Sequence, residues 1–165
     1  MDNTEKEFER LVRAHKEVIY TTCYMFSKND DEVADLFQET LINMWKGVLK
    51  SSSHMLAAAP ENQKAWVYRV ALNTCISYDR NKRKHPTVPL TMDVNLFDDN
   101  DSRTRQADML HQRIGRLQPF DRAIVLLWLE DISYDEIANI MGITAKNVSV
   151  RLVRIREELR KNNNK

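Results

Sequence analysis

Apolar residues along this chain return at intervals of three and four, and no segment alternates in the way a strand would. The pattern therefore predicts helices throughout. Phe8, Leu11, Val12, His15, Ile19 and Phe26 form a first apolar stripe. Thr4 and Glu7 have the spacing of a capping box and open that helix. Asn29 to Asp31 interrupts the stripe and supplies caps for a second helix. Its Val33, Ala34, Leu36, Phe37, Leu41, Met44, Trp45 and Val48 make a broad face suited to a core. Lys50 to Gln63 keeps no period and holds serines and Pro60, which predicts a loop. A third helix is expected from about Gln63 to Lys82, with Trp66, Val67, Val70, Ala71, Thr74, Cys75 and Tyr78 turned inward.

Helical periodicity then lapses. Residues 87–106 contain Pro89 and an acidic, asparagine-containing stretch, and predict a flexible linker. Leu90, Met92, Leu96 and Phe97 are apolar for a free tether, so part of it is expected to dock. From Ala107 the period resumes with Leu110, Ile114 and Leu117. Pro119 suits the first turn of a following helix, where its missing N–H leaves nothing unpaired. That helix carries Phe120, Ile124, Leu127 and Trp128. Ser133 and Glu136 form a further capping box ahead of Ile137, Ala138, Ile140 and Met141. Gly142 stands where a helix-ending glycine belongs. Thr144 caps a last helix reaching about Arg160. The expected fold is all-α: an N-terminal helical bundle over 1–86 and a C-terminal helix-turn-helix bundle over 107–165, joined by the linker.

Composition narrows the class. Three glycines and four prolines in 165 residues favour long helices over turn-rich sheet. No run approaches the about 18 uncharged apolar residues a membrane span needs. The polar, acidic start does not read as a secretory signal. Cys23 and Cys75 are too few and too widely spaced for a disulfide framework or a zinc site. Both read as small buried apolar groups, and the expected location is the cytoplasm. No metal, cofactor or catalytic residue is expected: the four histidines are scattered and no phosphate-binding glycine loop exists.

The net charge of +1 says little, but its distribution says more. Asp79 to His85 carries four fixed positive charges against one negative. From Thr144 onward, seven Lys or Arg oppose two Glu. Two basic patches flanking the acidic segment from Asp93 to Asp101 suggest two contacts with one polyanion; solvated helix ends are the alternative. Ser133 to Arg160, two capped helices around a tight turn, has the form of a helix-turn-helix. Val148, Leu152, Ile155 and Leu159 would be buried, while Lys146, Asn147, Ser149, Val150, Arg151 and Arg154 would face the major groove. Asn can bond adenine, and Arg or Lys can read guanine or hold phosphate. An ordinary helical hairpin with a basic face remains the other reading of this segment.

The chain resembles the extracytoplasmic-function sigma factors over nearly its whole length, and three blocks carry the resemblance. DDEVADLFQETLINMWK (30–46) is similar to the region that grips core RNA polymerase. AWVYRVALNTCISYDRNKRK (65–84) is similar to the region that melts and reads the minus-ten element. The run from Leu117 to Lys161 is similar to the domain that reads the minus-thirty-five element. The resemblance implies polymerase contacts from Asp35, Gln38 and Glu39, which share one helix face by spacing. It implies minus-ten contacts from Arg69, Asn73 and Ser77, with phosphate contacts from Arg80, Lys82, Arg83 and Lys84. Trp66 and Tyr68 can stack on an unpaired base, and Trp66 equally suits the core. Two places depart from the family pattern. The loop from Lys50 to Gln63 lacks the usual Phe-Arg-Gly-like stretch near the flipped-base pocket, and Ser149 stands where many relatives carry a basic residue.

The implied partners are core RNA polymerase, promoter duplex and its melted strand, and an anti-sigma factor, often membrane-anchored in this class. The free chain is expected to be a monomer, with the two units folded back on each other and their DNA faces hidden. Two other readings stay open from the sequence. One is a dimeric helix-turn-helix regulator that needs no polymerase. The other is a small helical enzyme built on Cys23 or Cys75.

Overall fold

The computed structural model describes residues 3–50, 56, 58–84 and 105–162; the expected linker falls almost entirely outside them. The described residues form α1 (Asn3–Ala14), α2 (Lys16–Met25), α3 (Asp30–Lys50), α4 (Pro60–Lys84), α5 (Arg105–Gly115), α6 (Pro119–Leu129), α7 (Tyr134–Met141) and α8 (Ala145–Asn162), with no strand among them.

The first apolar stripe was expected on a single helix, and it is divided between two. His15 leaves helical geometry at φ −118°, ψ 19°. Its N–H is shared between the Leu11 and Val12 carbonyls, each at 3.2 Å, so one turn tightens and α1 ends there. The stripe survives this break because α1 packs on α3 while α2 packs on both α3 and α4. α1 also begins at Asn3, so Thr4 lies within the helix and does not cap it. At α3 the cap falls where expected. Asn29 Oδ1 accepts from the Glu32 N–H at 2.9 Å, and Glu32 Oε1 accepts from the Lys28 N–H at 3.1 Å. Three acidic residues in this first turn oppose the positive helix end.

α4 starts earlier than its apolar pattern suggests, at Pro60, where the fixed φ favours a first turn. It crosses α3 closely at Gly47: a Cβ added there would lie 2.8 Å from Cζ2 of Trp66. The Trp66 indole thus rests on the bare α3 backbone in a packing role. Asn43 Nδ2 donates to Thr74 Oγ1 at 2.9 Å across the same pair of helices.

α5 to α8 form the second bundle, with Ile114, Ile124, Leu127, Ile137, Leu152 and Ile155 fully buried. Each such side chain contributes about 1.5–3 kcal/mol of burial. The two bundles touch: α2 packs against α5 and α6, and α4 against α6 and α7. The buried apolar residues of both belong to one continuous cluster from Leu11 to Ile155. Two polar contacts fasten this junction. The His111 ring stacks on Tyr24 with centroids 4.3 Å apart, and its Nε2 lies 2.8 Å from the Tyr24 carbonyl. The Arg122 guanidinium sits 5.0 Å over the Phe26 ring while its Nη2 donates to the Gly115 and Leu117 carbonyls at 2.8 and 2.9 Å.

Candidate nucleic-acid interface

The helix-turn-helix is built by local chemistry. Ser133 adopts extended geometry (φ −64°, ψ 156°) and its hydroxyl accepts from the Glu136 N–H, closing the start of α7. Gly142 takes the left-handed conformation at φ 72°. The N–H groups of Gly142 and Ile143 both donate to the Ala138 carbonyl, at 2.9 and 3.1 Å, which ends the helix within one turn. Thr144 Oγ1 then accepts from the Asn147 N–H at 3.1 Å and starts α8. Glycine is needed at 142 because a Cβ in that conformation is strained.

α8 buries Val148, Leu152 and Ile155 completely and Leu159 in part. Its open face presents Lys146, Val150 and Arg154 as exposed residues, with Asn147, Ser149 and Arg151 half-buried beside them. Arg151 is the most constrained of the set. Its Nη1 bonds Asp121 Oδ1 at 3.2 Å, its Nε donates to Asn147 Oδ1 at 3.2 Å, and its guanidinium lies 4.9 Å over the Phe120 ring. Arg154 Nη2 approaches the other oxygen of Asp121 at 3.6 Å. Asn147 was expected on the groove face, and there its carbonyl oxygen accepts from Arg151 Nε. Phe120 and Asp121 were not foreseen as part of the site. The one local signal was an acidic residue in the first turn of α6; its partner lies 30 residues away.

On α4, Arg69, Asn73 and Ser77 follow one another along a face, Asn73 exposed and the other two half-buried. Arg80 is exposed beyond them. Lys82, Arg83 and Lys84 extend the helix, but their side chains lie outside the described residues. Tyr68, a candidate for base stacking, is only 2% exposed. Burial, aided by the negative charge of Glu130 in the other bundle, pushes its hydroxyl up to about 12. In this arrangement Tyr68 belongs to the core. On α3, Gln38 and Glu39 are exposed and Asp35 is half-buried. The candidate flipped-base loop lies mostly outside the described residues.

Cys23 and Cys75 are free and buried. Burial, reinforced by the neighbouring Cys23, pushes the Cys75 thiol well above its ordinary value, the opposite of what a nucleophile requires. Among the described residues there is no cluster able to hold a metal ion and no helix long and apolar enough to cross a membrane.

A capped helix-turn-helix with an open basic face, packed on a helical bundle with a second polar stripe, is the architecture of a two-unit DNA-binding protein. Comparison with known proteins agrees. Residues 11–85 match the family model for sigma-70 region 2, and residues 107–159 match that for sigma-70 region 4. The ECF RNA polymerase sigma factor SigW of Bacillus subtilis is 30% identical over 173 residues, covering 93% of this chain and 87% of SigW. The ECF sigma factor SigE of Mycolicibacterium smegmatis is 28% identical over 162 residues, covering 93% of this chain; the chain spans only 60% of SigE. The chain belongs to the extracytoplasmic-function sigma factors.

Two solved structures share the fold. The sigma factor RpoE in complex with the anti-sigma factor NepR from Bartonella quintana superposes with a TM-score of 0.69 at 19% identity, covering 94% of this chain and 96% of that one. CnrH in complex with the cytosolic domain of CnrY superposes with a TM-score of 0.64 at 19% identity, covering 95% and 87%.

Proposed function

We propose that this protein binds core RNA polymerase, directs it to a set of promoters and promotes DNA melting there. It performs no chemistry of its own, which the polymerase supplies, and it works in the cytoplasm as a monomer until it meets the polymerase. The observation that carries this reading is the succession of region 2 and region 4 matches on one chain, each falling on a unit with an accessible polar helix face.

Residues 1–86 form the unit that grips polymerase and the minus-ten element. Asp35, Gln38 and Glu39 meet the polymerase clamp helices. Arg69, Asn73 and Ser77 face the minus-ten DNA, with Arg80, Lys82, Arg83 and Lys84 on its phosphates. Residues 107–165 read the minus-thirty-five element through Lys146, Asn147, Ser149, Val150, Arg151 and Arg154. Residues 87–106 tether the two. The promoter elements lie about two helical turns apart, at roughly 34–36 Å per turn, so the two units must separate to reach both. The packing of α4 on α6 and α7 describes a closed chain that has not made this separation. Core polymerase then creates promoter affinity by holding the units apart. An anti-sigma partner fits the same scheme by favouring a closed form; RpoE was solved in complex with the anti-sigma factor NepR.

The decisive experiment is transcription in vitro from genomic DNA with core polymerase, with and without this protein, followed by mapping of start sites. The expected result is a new set of start sites sharing two upstream elements. Start sites identical to those of core alone would overturn the proposal. A companion measurement compares promoter affinity of the free chain with that of the polymerase complex, and equal affinities would refute the closed-chain scheme.

A further inference from the structure

Five residues on two helices, α6 and α8, converge at the base of the α8 reading face, and only the α8 members were expected there. Asp121 stands in the first turn of α6, where the positive helix end favours a carboxylate. Its side chain is 11% exposed, so it is anchored within the bundle rather than waving from it. Both oxygens point at α8. One accepts from Arg151 Nη1 at 3.2 Å and the other faces Arg154 Nη2 at 3.6 Å. Phe120 lies under the Arg151 guanidinium, and Asn147 holds its Nε.

These contacts separate two arginines that look alike in the sequence. Arg151 is fixed on three sides and its side chain is 31% exposed, while Arg154 is 62% exposed and touches the carboxylate only at longer range. A guanidinium that reads a base must present its planar fork at a set angle, and a long free side chain loses entropy in adopting one. A guanidinium that holds a phosphate needs far less angular definition.

We propose that Asp121 is a positioning residue for promoter discrimination. Seated against Phe120 and Asn147, the Arg151 guanidinium is held through Nε and Nη1, which leaves Nη2 for the acceptors on a guanine edge in the minus-thirty-five element. Arg154 serves the phosphate backbone, and Asn147 also acts through Arg151, whose Nε it holds. The inference rests on the minus-thirty-five reading above and names how that face obtains its selectivity.

Electrostatics alone makes the opposite forecast. Asp121 carries a negative charge close to the DNA side of α8, so a purely electrostatic role predicts that its removal strengthens binding to every sequence. Positioning predicts that its removal erodes discrimination and leaves non-specific binding equal or tighter. The measurement is the affinity of the reconstituted polymerase complex for a promoter with an intact minus-thirty-five element, divided by that for the same promoter with the element scrambled. Asp121→Ala should reduce this ratio by about 5- to 150-fold, the range for loss of one well-placed base contact. Asp121→Asn keeps an acceptor oxygen and the shape. It should lose less, though more than twofold, and it remains informative should the alanine variant fold poorly. In an Arg151→Ala background, Asp121→Ala should change the ratio no further. A ratio unchanged in both Asp121 variants would overturn the inference, as would an equal loss of affinity for both promoters. A wild-type ratio of one would instead overturn the minus-thirty-five reading itself.

Discussion

The close approach of α3 and α4 at Gly47 allows a prediction whose sign depends on the neighbour. Gly47→Ala alone brings two opposed effects. In a helix interior, alanine is about 1 kcal/mol more favourable than glycine. The added methyl, however, would stand 2.8 Å from the Trp66 ring, nearer than carbon atoms tolerate. The neighbour is a rigid indole packed between helices, so ring and backbone must both move. Such overpacking costs about 1–3 kcal/mol. The net expectation is destabilisation by about 0–2 kcal/mol, or up to several degrees in Tm at about 2–4 °C per kcal/mol for a chain of this size. Trp66→Leu removes the obstructing ring, so in that background Gly47→Ala should stabilise by about 1 kcal/mol. Thermal and urea unfolding of the four proteins completes the cycle, with an expected coupling of about 1–3 kcal/mol. Equal effects of Gly47→Ala in both backgrounds would refute the claim that Trp66 is what keeps position 47 bare.

Further outcomes follow from other parts of the fold. Ser133→Ala and Thr144→Ala each remove a cap whose hydroxyl is seen accepting a backbone N–H, and each should lower stability by about 0.5–2 kcal/mol in denaturant melts. Burial holds the His15 imidazole below its ordinary 6.5, the Lys64 charge acting in the same sense and a hydrogen bond with Gln63 opposing it. Above 6.5 the ring is neutral folded and unfolded, with no effect; below it the unfolded chain takes the proton first, so stability falls. The Tm of wild type should therefore drop more steeply on acidification below 6.5 than that of His15→Gln, and parallel curves would show that His15 does not contribute. The Tyr68 hydroxyl, raised to about 12, works at the other end: stability should fall as pH rises past its ordinary 10.0, less so in Tyr68→Phe, with tyrosinate absorbance as the readout.

What the sequence made legible was whatever depends on neighbours a few residues away. The caps at Ser133 and Thr144, the left-handed turn at Gly142 and the buried row Val148, Leu152, Ile155 are all encoded within one or two helical turns. The resemblance to sigma factors was legible for a related reason, since its blocks are contiguous. Contacts between helices were not. Nothing near Arg151 in the chain announces Asp121, and nothing near Tyr24 announces His111, 87 residues on. The break at His15 was hidden because a shared hydrogen bond leaves the three-and-four spacing intact. Trp66 and Tyr68 show the same limit in another form: an aromatic residue on an amphipathic helix suits a base or a core equally, and only the partner helices decide.

The uninterrupted interior that links the two bundles has a quantitative corollary for any occupant that needs them apart. If only the opened chain engages polymerase, the apparent dissociation constant rises by the reciprocal of the opened fraction. Every 1.4 kcal/mol of adhesion between α4 and the α6–α7 corner then weakens apparent affinity about tenfold. Loosening the His111–Tyr24 stack or the Arg122–Phe26 contact would make the protein a stronger competitor for a limited polymerase pool. Under that condition, the strength of that seam sets how much of the cell's transcription the protein can claim.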